Sequence, residues 1–470
     1  MARHGQSATA PRRFTGEPPD ASEVWLPALD DPPRAGKAGR RLFPLVVFAA
    51  FLGGPAMWWS QTPGHSLATT ADLLLAAGRL TGLTAGYALL LQILLMSRAG
   101  WLERMIGAHA LLVWHREIGG YLFVAVLAHL AFTITGYAWG SGEPLLPYAY
   151  TMITTFDDLL TAFAAAMLLF AVALLAIRGV RRRLSYEAWY FLHLSGYLVV
   201  LLGFAHQFSG EQLLSGIGRW YWITLNIFVA ANVAWGRVIG PLIFNARHRL
   251  RVADVLAEGR DVISIYLQGR GLDGMHGRAG QYFRWRFLTN GCWWQAHPFS
   301  LSAAPNGAWL RLTVKVVGDH TQRLRALRPG VRVFAEGPSG VFTADRGVRR
   351  RALLIAGGSG IAPIRALLED VPPGAILIYR AGGEHELMFR RELDWLAQER
   401  GARVHYVLGG REDVGPRRLL TPQGLRELAP DVTRRDVYLC GPKGLIDECV
   451  RVLRRLRVPR RQLHLDPFEF

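Results

Sequence analysis

The sequence predicts a multidomain protein in which a six-helix transmembrane bundle is followed by an antiparallel β-barrel and an α/β domain built on a parallel sheet. Three observations lead there. Of the 470 residues 51% are hydrophobic, yet the net charge is +18, which suits a membrane protein with a basic, water-facing part. Before residue 243 the apolar residues fall in runs close to the ~20 needed to cross ~30 Å of hydrocarbon. After residue 243 they fall in short alternating or short continuous runs, the patterns of half-buried and fully buried strands.

Length allows about two to four domains. Residues 1–40 are rich in Pro, Gly, Arg and Ala without apolar periodicity, and read as a disordered cytoplasmic tail. They do not read as a signal peptide, because the first apolar run begins too late. The membrane domain, 41–243, contains spans at about 42–59, 72–97, 117–138, 156–178, 187–207 and 219–242. Its loops alternate in charge. Arg34, Lys37, Arg40 and Arg41 precede the first span, Arg98, Arg104 and Arg116 follow the second, and Arg178, Arg181, Arg182 and Arg183 follow the fourth. The other loops are nearly free of Lys and Arg, so the positive-inside rule puts both termini in the cytoplasm of a multi-pass inner (plasma) membrane protein.

Strong positive charge can also signal nucleic-acid binding, but no zinc-finger, basic-zipper or RNA-stacking pattern accompanies it. The lipid bilayer is the expected partner and nucleic acid is not. The three cysteines, Cys292, Cys440 and Cys449, are too few and too odd for a disulfide framework and fit a reducing compartment.

Between 244 and 346, stretches such as RVADVLAE, VISIYLQG and WLRLTVKVV alternate and predict the β-barrel. From 347 to 470, the apolar runs ALLIAGG, AILIYR, RVHYVLGG and DVYLCG are separated by helix-like stretches. That alternation predicts a parallel sheet covered by helices, the architecture of a nucleotide-binding domain.

Four histidines interrupt the apolar spans. The third span carries His115 and His129, fourteen apart, and the fifth carries His193 and His206, thirteen apart. Ionisable residues inside a membrane are presumptively functional. The two spans run in the same direction, so His115 and His193 share the cytoplasmic side, and His129 and His206 the outer side. At 1.5 Å per residue each helix separates its histidines by ~20 Å. Two haems can therefore stack across the bilayer, each held by one histidine from each helix. Neutral imidazole is a good iron ligand and limits the cost of burial. No Cys-x-x-Cys-His is present, so the haems would lack thioether links. Thirteen residues on a straight helix leave the second ring about 140° off the first. The fifth span is therefore expected to be distorted between His193 and His206, with Gly196 and Gly203 as candidate points.

In the soluble half, GGSGIAP (357–363) follows a strand and opens a helix. Gly357, Gly358, Ser359 and Gly360 would let backbone N–H groups approach a pyrophosphate, with Pro363 in the first helical turn.

From residue 42 to 470 the chain resembles the NADPH oxidase and ferric reductase superfamily. The histidine spacings match that family's two haem-b sites. HPFS matches its flavin segment, GGSGIAP its nucleotide loop and LCGP its nicotinamide-side motif. The resemblance implies FAD held by His297, Pro298, Phe299, Ser300 and Ser302, with Thr321 near the phosphates. It implies Cys440, Gly441 and Pro442 beside the nicotinamide, and Phe470 covering the flavin ring. Arg411, assisted by Arg380, faces a 2′-phosphate, favouring NADPH with NADH possible. Arg79 matches an arginine close to the outer haem. The implied reaction carries electrons from cytoplasmic NADPH through FAD and the two haems to an external small molecule. Oxygen, giving superoxide, is the first expectation for that acceptor and a ferric chelate the alternative. Oxygen-reducing members carry a second histidine where this chain has Thr133. A third possibility, a haem subunit serving a protein partner, is disfavoured because the chain carries its own donor domains. No protein partner is expected to be required.

Overall fold

The computed structural model describes residues 37–61, 67–208, 216–410 and 412–468. The expected tail, Arg411 and Phe470 lie outside these, except that helix already begins at Lys37. The described chain divides after Ile239 into two compact units.

The first unit is helical: α1 (Lys37–Gln61), α2 (Thr70–Leu95), α3 (Gly100–Ile106), α4 (Ala108–Ser141), α5 (Leu145–Thr155), α6 (Leu159–Ala176), α7 (Arg178–Arg181), α8 (Tyr186–Leu194), α9 (Gly196–Gly203) and α10 (Gly216–Ala234). Among the described residues five helical runs are long and apolar enough to cross a membrane, the last being Gly216–His248, and Ala188–Gly203 is a shorter apolar run. Helix α2 starts at a reciprocal cap: Thr69 Oγ1 accepts from Asp72 N at 3.2 Å, and Asp72 accepts from Thr69 N at 2.9 Å. Helix α4 runs for 34 residues between Gly107 and the left-handed Gly142. It outruns the predicted span because hydropathy detects only its apolar middle, while the backbone continues to a glycine at each end. At 1.5 Å per residue it is ~50 Å long.

The fifth span is broken. Helix α8 stops at Ser195, whose hydroxyl donates back to Leu192 O at 2.6 Å, a bond that competes with helix continuation. Helix α9 ends at Gly203, and His206 opens a 3₁₀ turn, His206–Phe208. The break falls at Ser195, directly before Gly196. Beyond α10 the chain passes through a π-turn, Trp235–Ile239. Arg237 there donates to Met96 O through Nε at 3.0 Å and Nη2 at 2.6 Å, satisfying an end carbonyl of α2.

The second unit opens with α11 (Gly240–His248), followed by β1 (Arg251–Gly259), β2 (Val262–Gln268), β3 (Tyr282–Phe287), β4 (His297–Ser300), β5 (Leu310–Lys315), α12 (Asp319–Leu324) and β6 (Val333–Ser339). Two three-stranded antiparallel sheets result, ordered β1-β2-β5 and β4-β3-β6. Isolated bridges join them at Arg251–Arg332 and Leu301–Leu312. Alternation along β3 turns Phe283, Trp285 and Phe287 fully inward, against Ile265, Leu267 and Leu312. Asn245 of α11 clamps β6 by donating to Ala335 O at 2.7 Å and accepting from Ala335 N at 2.8 Å.

The remainder alternates strand and helix: β7 (Arg351–Gly357), α13 (Ile361–Asp370), β8 (Ile376–Ala381), α14 (Arg390–Glu399), β9 (Arg403–Leu408), α15 (Val414–Leu419), α16 (Pro422–Leu428), β10 (Arg435–Pro442), α17 (Lys443–Arg455) and β11 (Leu463–Phe468). The five strands form one parallel sheet, β11-β10-β7-β8-β9. Strands β7, β8 and β10 are buried on both faces, hence their continuous apolar runs.

Candidate functional site

The four intramembrane histidines come together two and two. The His115 and His193 ring centres lie 6.0 Å apart at an interplanar angle of 82°. Those of His129 and His206 lie 6.0 Å apart at 48°. A metal–imidazole bond is ~2 Å, so imidazoles on opposite sides of one ion hold their nitrogens ~4 Å apart and their ring centres somewhat further. The observed separation suits that arrangement. The Nδ1 atoms of His115, His193 and His206 are buried without hydrogen-bond partners, while His129 Nδ1 donates to Gly78 O at 2.8 Å. Among the described residues no group of three His, Cys, Asp or Glu side chains could hold a metal by itself. Two protein ligands per centre suit an ion that arrives with the rest of its coordination in a macrocycle.

Regular helix is interrupted at Ser195 and ends at Gly203, with His206 in a 3₁₀ turn, so the straight-helix rotation that would turn His206 away from His129 does not apply. Around His193, Trp189 stacks at 5.1 Å and Arg181 lies over Trp189 at 4.7 Å. Gln92 of α2 donates to His115 O at 2.8 Å. Arg79 sits half-buried on α2, next to Gly78. Sequence reasoning missed Gln92, Gly78 and Trp189. Gln92 and Gly78 act from α2 on histidines of α4, which no spacing along one span reveals, whereas Trp189 lies one turn before His193 on α8 and its i, i+4 spacing could have flagged it.

In the second unit HPFS forms β4, with Phe299 opposite Phe283 and Ser300 opposite Tyr282. His297, Phe299 and Ser300 are half-buried and Pro298 is exposed. Ser302 is fully enclosed: its hydroxyl accepts from Arg311 Nε at 3.1 Å and from Thr313 Oγ1 at 2.8 Å. Thr321 Oγ1 accepts from Val317 N and Gly318 N at 3.0 and 3.1 Å, ordering the loop that opens α12. His320 was not singled out from sequence, yet its ring stacks on His297 at 3.7 Å. Burial, then His297 and Arg323, lowers the His320 pKa to about 4, so the pair is uncharged at His320 near neutrality.

The nucleotide motifs converge at a topological switch point. Strand β7 lies between β8, which follows it, and β10, which comes much later. Ligands of open parallel sheets bind beyond the carboxyl ends of such strands. GGSGIAP leaves β7 and Cys440-Gly441-Pro442 ends β10 at that edge. Gly441 has φ +150°, and a Cβ on Gly360 would lie 2.3 Å from Cys440 O, so the two turns touch through bare backbone. Beside them opens a groove of about 360 Å³ whose lining includes Gly357, Gly358, Arg380, Glu386, Pro442 and Glu448. Arg380 Nη2 donates to Gly409 O at 3.3 Å. Cys440 is fully buried with Sγ 3.9 Å from Asp466. Burial and the carboxylate push the thiol well up, and burial pushes Asp466 up to about 6.

Residues 81–204 match the family described as ferric reductase like transmembrane component. Residues 247–343 match an FAD-binding domain family, and residues 354–451 an oxidoreductase NAD-binding domain family. Ferredoxin–NADP reductase B of Sorangium cellulosum is 31% identical over 191 residues, covering 36% of this chain and 77% of that protein. A flavohemoprotein of Xylella fastidiosa is 25% identical over 290 residues, covering 57% and 72%. An NADPH oxidoreductase of Mycobacterium tuberculosis is 26% identical over 232 residues, covering 47% and 60%. Among solved structures, the flavohem-like FAD/NAD-binding domain of nitric oxide dioxygenase from Vibrio cholerae O1 biovar El Tor is similar with 24% identity and a TM-score of 0.40. That likeness covers 47% of this chain and 99% of that one. With a ferric-reductase-type membrane component joined to FAD and nucleotide domains, the chain belongs to the NADPH oxidase and ferric reductase superfamily and is a transmembrane, NAD(P)H-dependent flavin oxidoreductase.

Proposed function

We propose that this enzyme carries electrons from cytoplasmic NADPH, through FAD and two bis-histidine b-type haems, to oxygen on the outer side, giving superoxide. The observation that carries the reading is the meeting of four intramembrane histidines two and two, each pair at 6.0 Å. When bound, FAD converts a hydride into single electrons and the haem irons pass these on one at a time.

The chain's own residues supply position and exclusion. His115 and His193 would hold an inner haem and His129 and His206 an outer one, and the bound haem would supply one-electron transfer there. The loop Gly357–Gly360 and the start of α13 hold the pyrophosphate of NADPH. Cys440, Gly441 and Pro442 bound the nicotinamide, with the Cys440 thiol protonated beside Asp466. Arg380 borders the groove and, with Arg411, binds the 2′-phosphate, which gives NADPH preference over NADH. His297 to Ser300 hold the flavin, with Phe470 over its ring. Six passes, counting the broken α8–α9 segment as the fifth, put both termini in the cytoplasm of the inner membrane.

A ferric chelate is the second reading of the acceptor, and Thr133 favours it. Its hydroxyl lies 3.4 Å from His129 Nδ1, in the place where oxygen-reducing relatives are expected to carry an imidazole. The test supplies NADPH and FAD to purified enzyme. Superoxide-dismutase-sensitive cytochrome c reduction supports the oxygen reading; anaerobic ferric-chelate reduction without it selects the second. Absence of haem absorbance sinks both.

A further inference from the structure

We propose that helix α2 is part of the outer haem site: Gly78 is a positioning residue whose carbonyl orients His129, and Gly82 is the gap that lets the ring stand there. The inference rests on the haem reading above and extends it to residues outside the four ligands.

Three contacts carry it. His129 Nδ1 donates to Gly78 O at 2.8 Å, so Nε2 is the nitrogen that would be left for iron. The nitrogen opposite a metal bond usually carries such a bond, which fixes tautomer and ring plane. One turn further along α2, a Cβ on Gly82 would sit 2.8 Å from His129 Nδ1 and 2.9 Å from its Cε1. Both are closer than a real Cβ approaches anything, and the ring lies flush against that gap. A Cβ on Gly78 would likewise meet Thr133 Oγ1 at 2.5 Å, so α2 and α4 approach backbone to side chain with nothing between.

The other three histidines differ in degree. Their Nδ1 atoms make no formed hydrogen bond, although the Gln92 backbone interacts with the His115 ring, and His193 has the Trp189 stack. His129 is the ligand with a short, formed bond to a backbone carbonyl. Thr133 is the rival for that role, since its hydroxyl is 3.4 Å from the same nitrogen. The shorter contact assigns it to Gly78.

The test reads haem, not turnover. In purified full-length protein the haem-to-flavin ratio and the reduced-minus-oxidised spectrum are compared for wild type, Gly82→Ala, His129→Ala and Gly120→Ala. Gly120 lies on α4, where an added Cβ meets nothing within 4 Å. Gly82→Ala should lose about half of the haem and reproduce the His129→Ala spectrum, while Gly120→Ala keeps the wild-type content. Two haems with a wild-type spectrum in Gly82→Ala overturn the inference and leave the haem reading standing. A wild type that takes up no haem overturns both. Should Gly82→Ala not accumulate, Thr133→Val decides: it should keep both haems with unchanged midpoint potentials. A shift in one potential would give the orienting role to Thr133 and end the claim for Gly78.

Discussion

At the scale of single residues, the four histidines were legible because an ionisable ring in an apolar run is rare and two such pairs at near-equal spacing are rarer. Their partners were not legible. Spacing along a span says nothing of Gly78 or Gln92 on a neighbouring helix, nor of the ring angles, 82° and 48°. Removing His129 should abolish reduction of any external acceptor by more than a hundredfold while NADPH still bleaches the flavin; stopped-flow absorbance at the flavin and haem bands reads both. The cysteines make a second prediction. All three are buried. Burial raises the thiols of Cys292 and Cys440, and burial then Glu448 raise that of Cys449 to about 12. The thiolate is the reactive form, so native protein at pH 8 should resist iodoacetamide and take up three labels only after denaturation, as read by intact mass.

At the scale of elements, the strand–loop–helix order of the nucleotide domain could be read from the sequence because buried parallel strands are continuous apolar runs. The short α3 and α5 escaped notice, since neither is long enough to register as a span. The fifth span was recognisable by composition, but its division into α8 and α9 depends on a serine hydroxyl turning back on its own carbonyl. Sequence flagged distortion there through rotation arithmetic and named Gly196 and Gly203, the two residues at which α9 begins and ends. Where two elements touch through backbone, the smallest side chain should be too large. Gly360→Ala puts a methyl 2.3 Å from Cys440 O, overpacking that typically costs about 1–3 kcal/mol. We expect KM for NADPH in a ferricyanide assay to rise at least tenfold, with FAD content unchanged. An unaltered KM would remove the β7–β10 crevice from the nucleotide site.

At the scale of the whole molecule, the soluble unit carries a charge lattice that no motif announces. Arg311, from the flavin-side sheet, donates to Glu392 at 3.1 Å, and Arg365 of α13 pairs with Glu369 and Glu392. Ser302 O accepts from Arg311 Nη2 at 2.8 Å, tying the segment after HPFS into the same lattice. Burial acts to raise the Glu392 carboxyl, but Arg365 and Arg311 overrule it and hold it below the usual range. A depressed acid gives stability that is present above its unfolded value of about 4.5 and lost as pH falls through the lower folded value. Glu392→Gln leaves two guanidiniums short of charge, so it should cost about 3–5 kcal/mol and flatten the acid side of the stability curve, as read by denaturant melts from pH 3 to 7. Sequence could offer only the Arg365–Glu369 pair, one turn apart on α13, because Arg311 and Glu392 lie far off in the chain and join it only when the domain packs.

The enclosed cysteines have one more consequence. Were oxygen the acceptor, as proposed above, superoxide and the peroxide formed from it would arise close to the protein. Thiols that are both sealed and protonated offer such oxidants neither access nor a thiolate. On that reading the catalyst is armoured against its own product, and its working life should be limited by flavin loss long before any sulfur is oxidised.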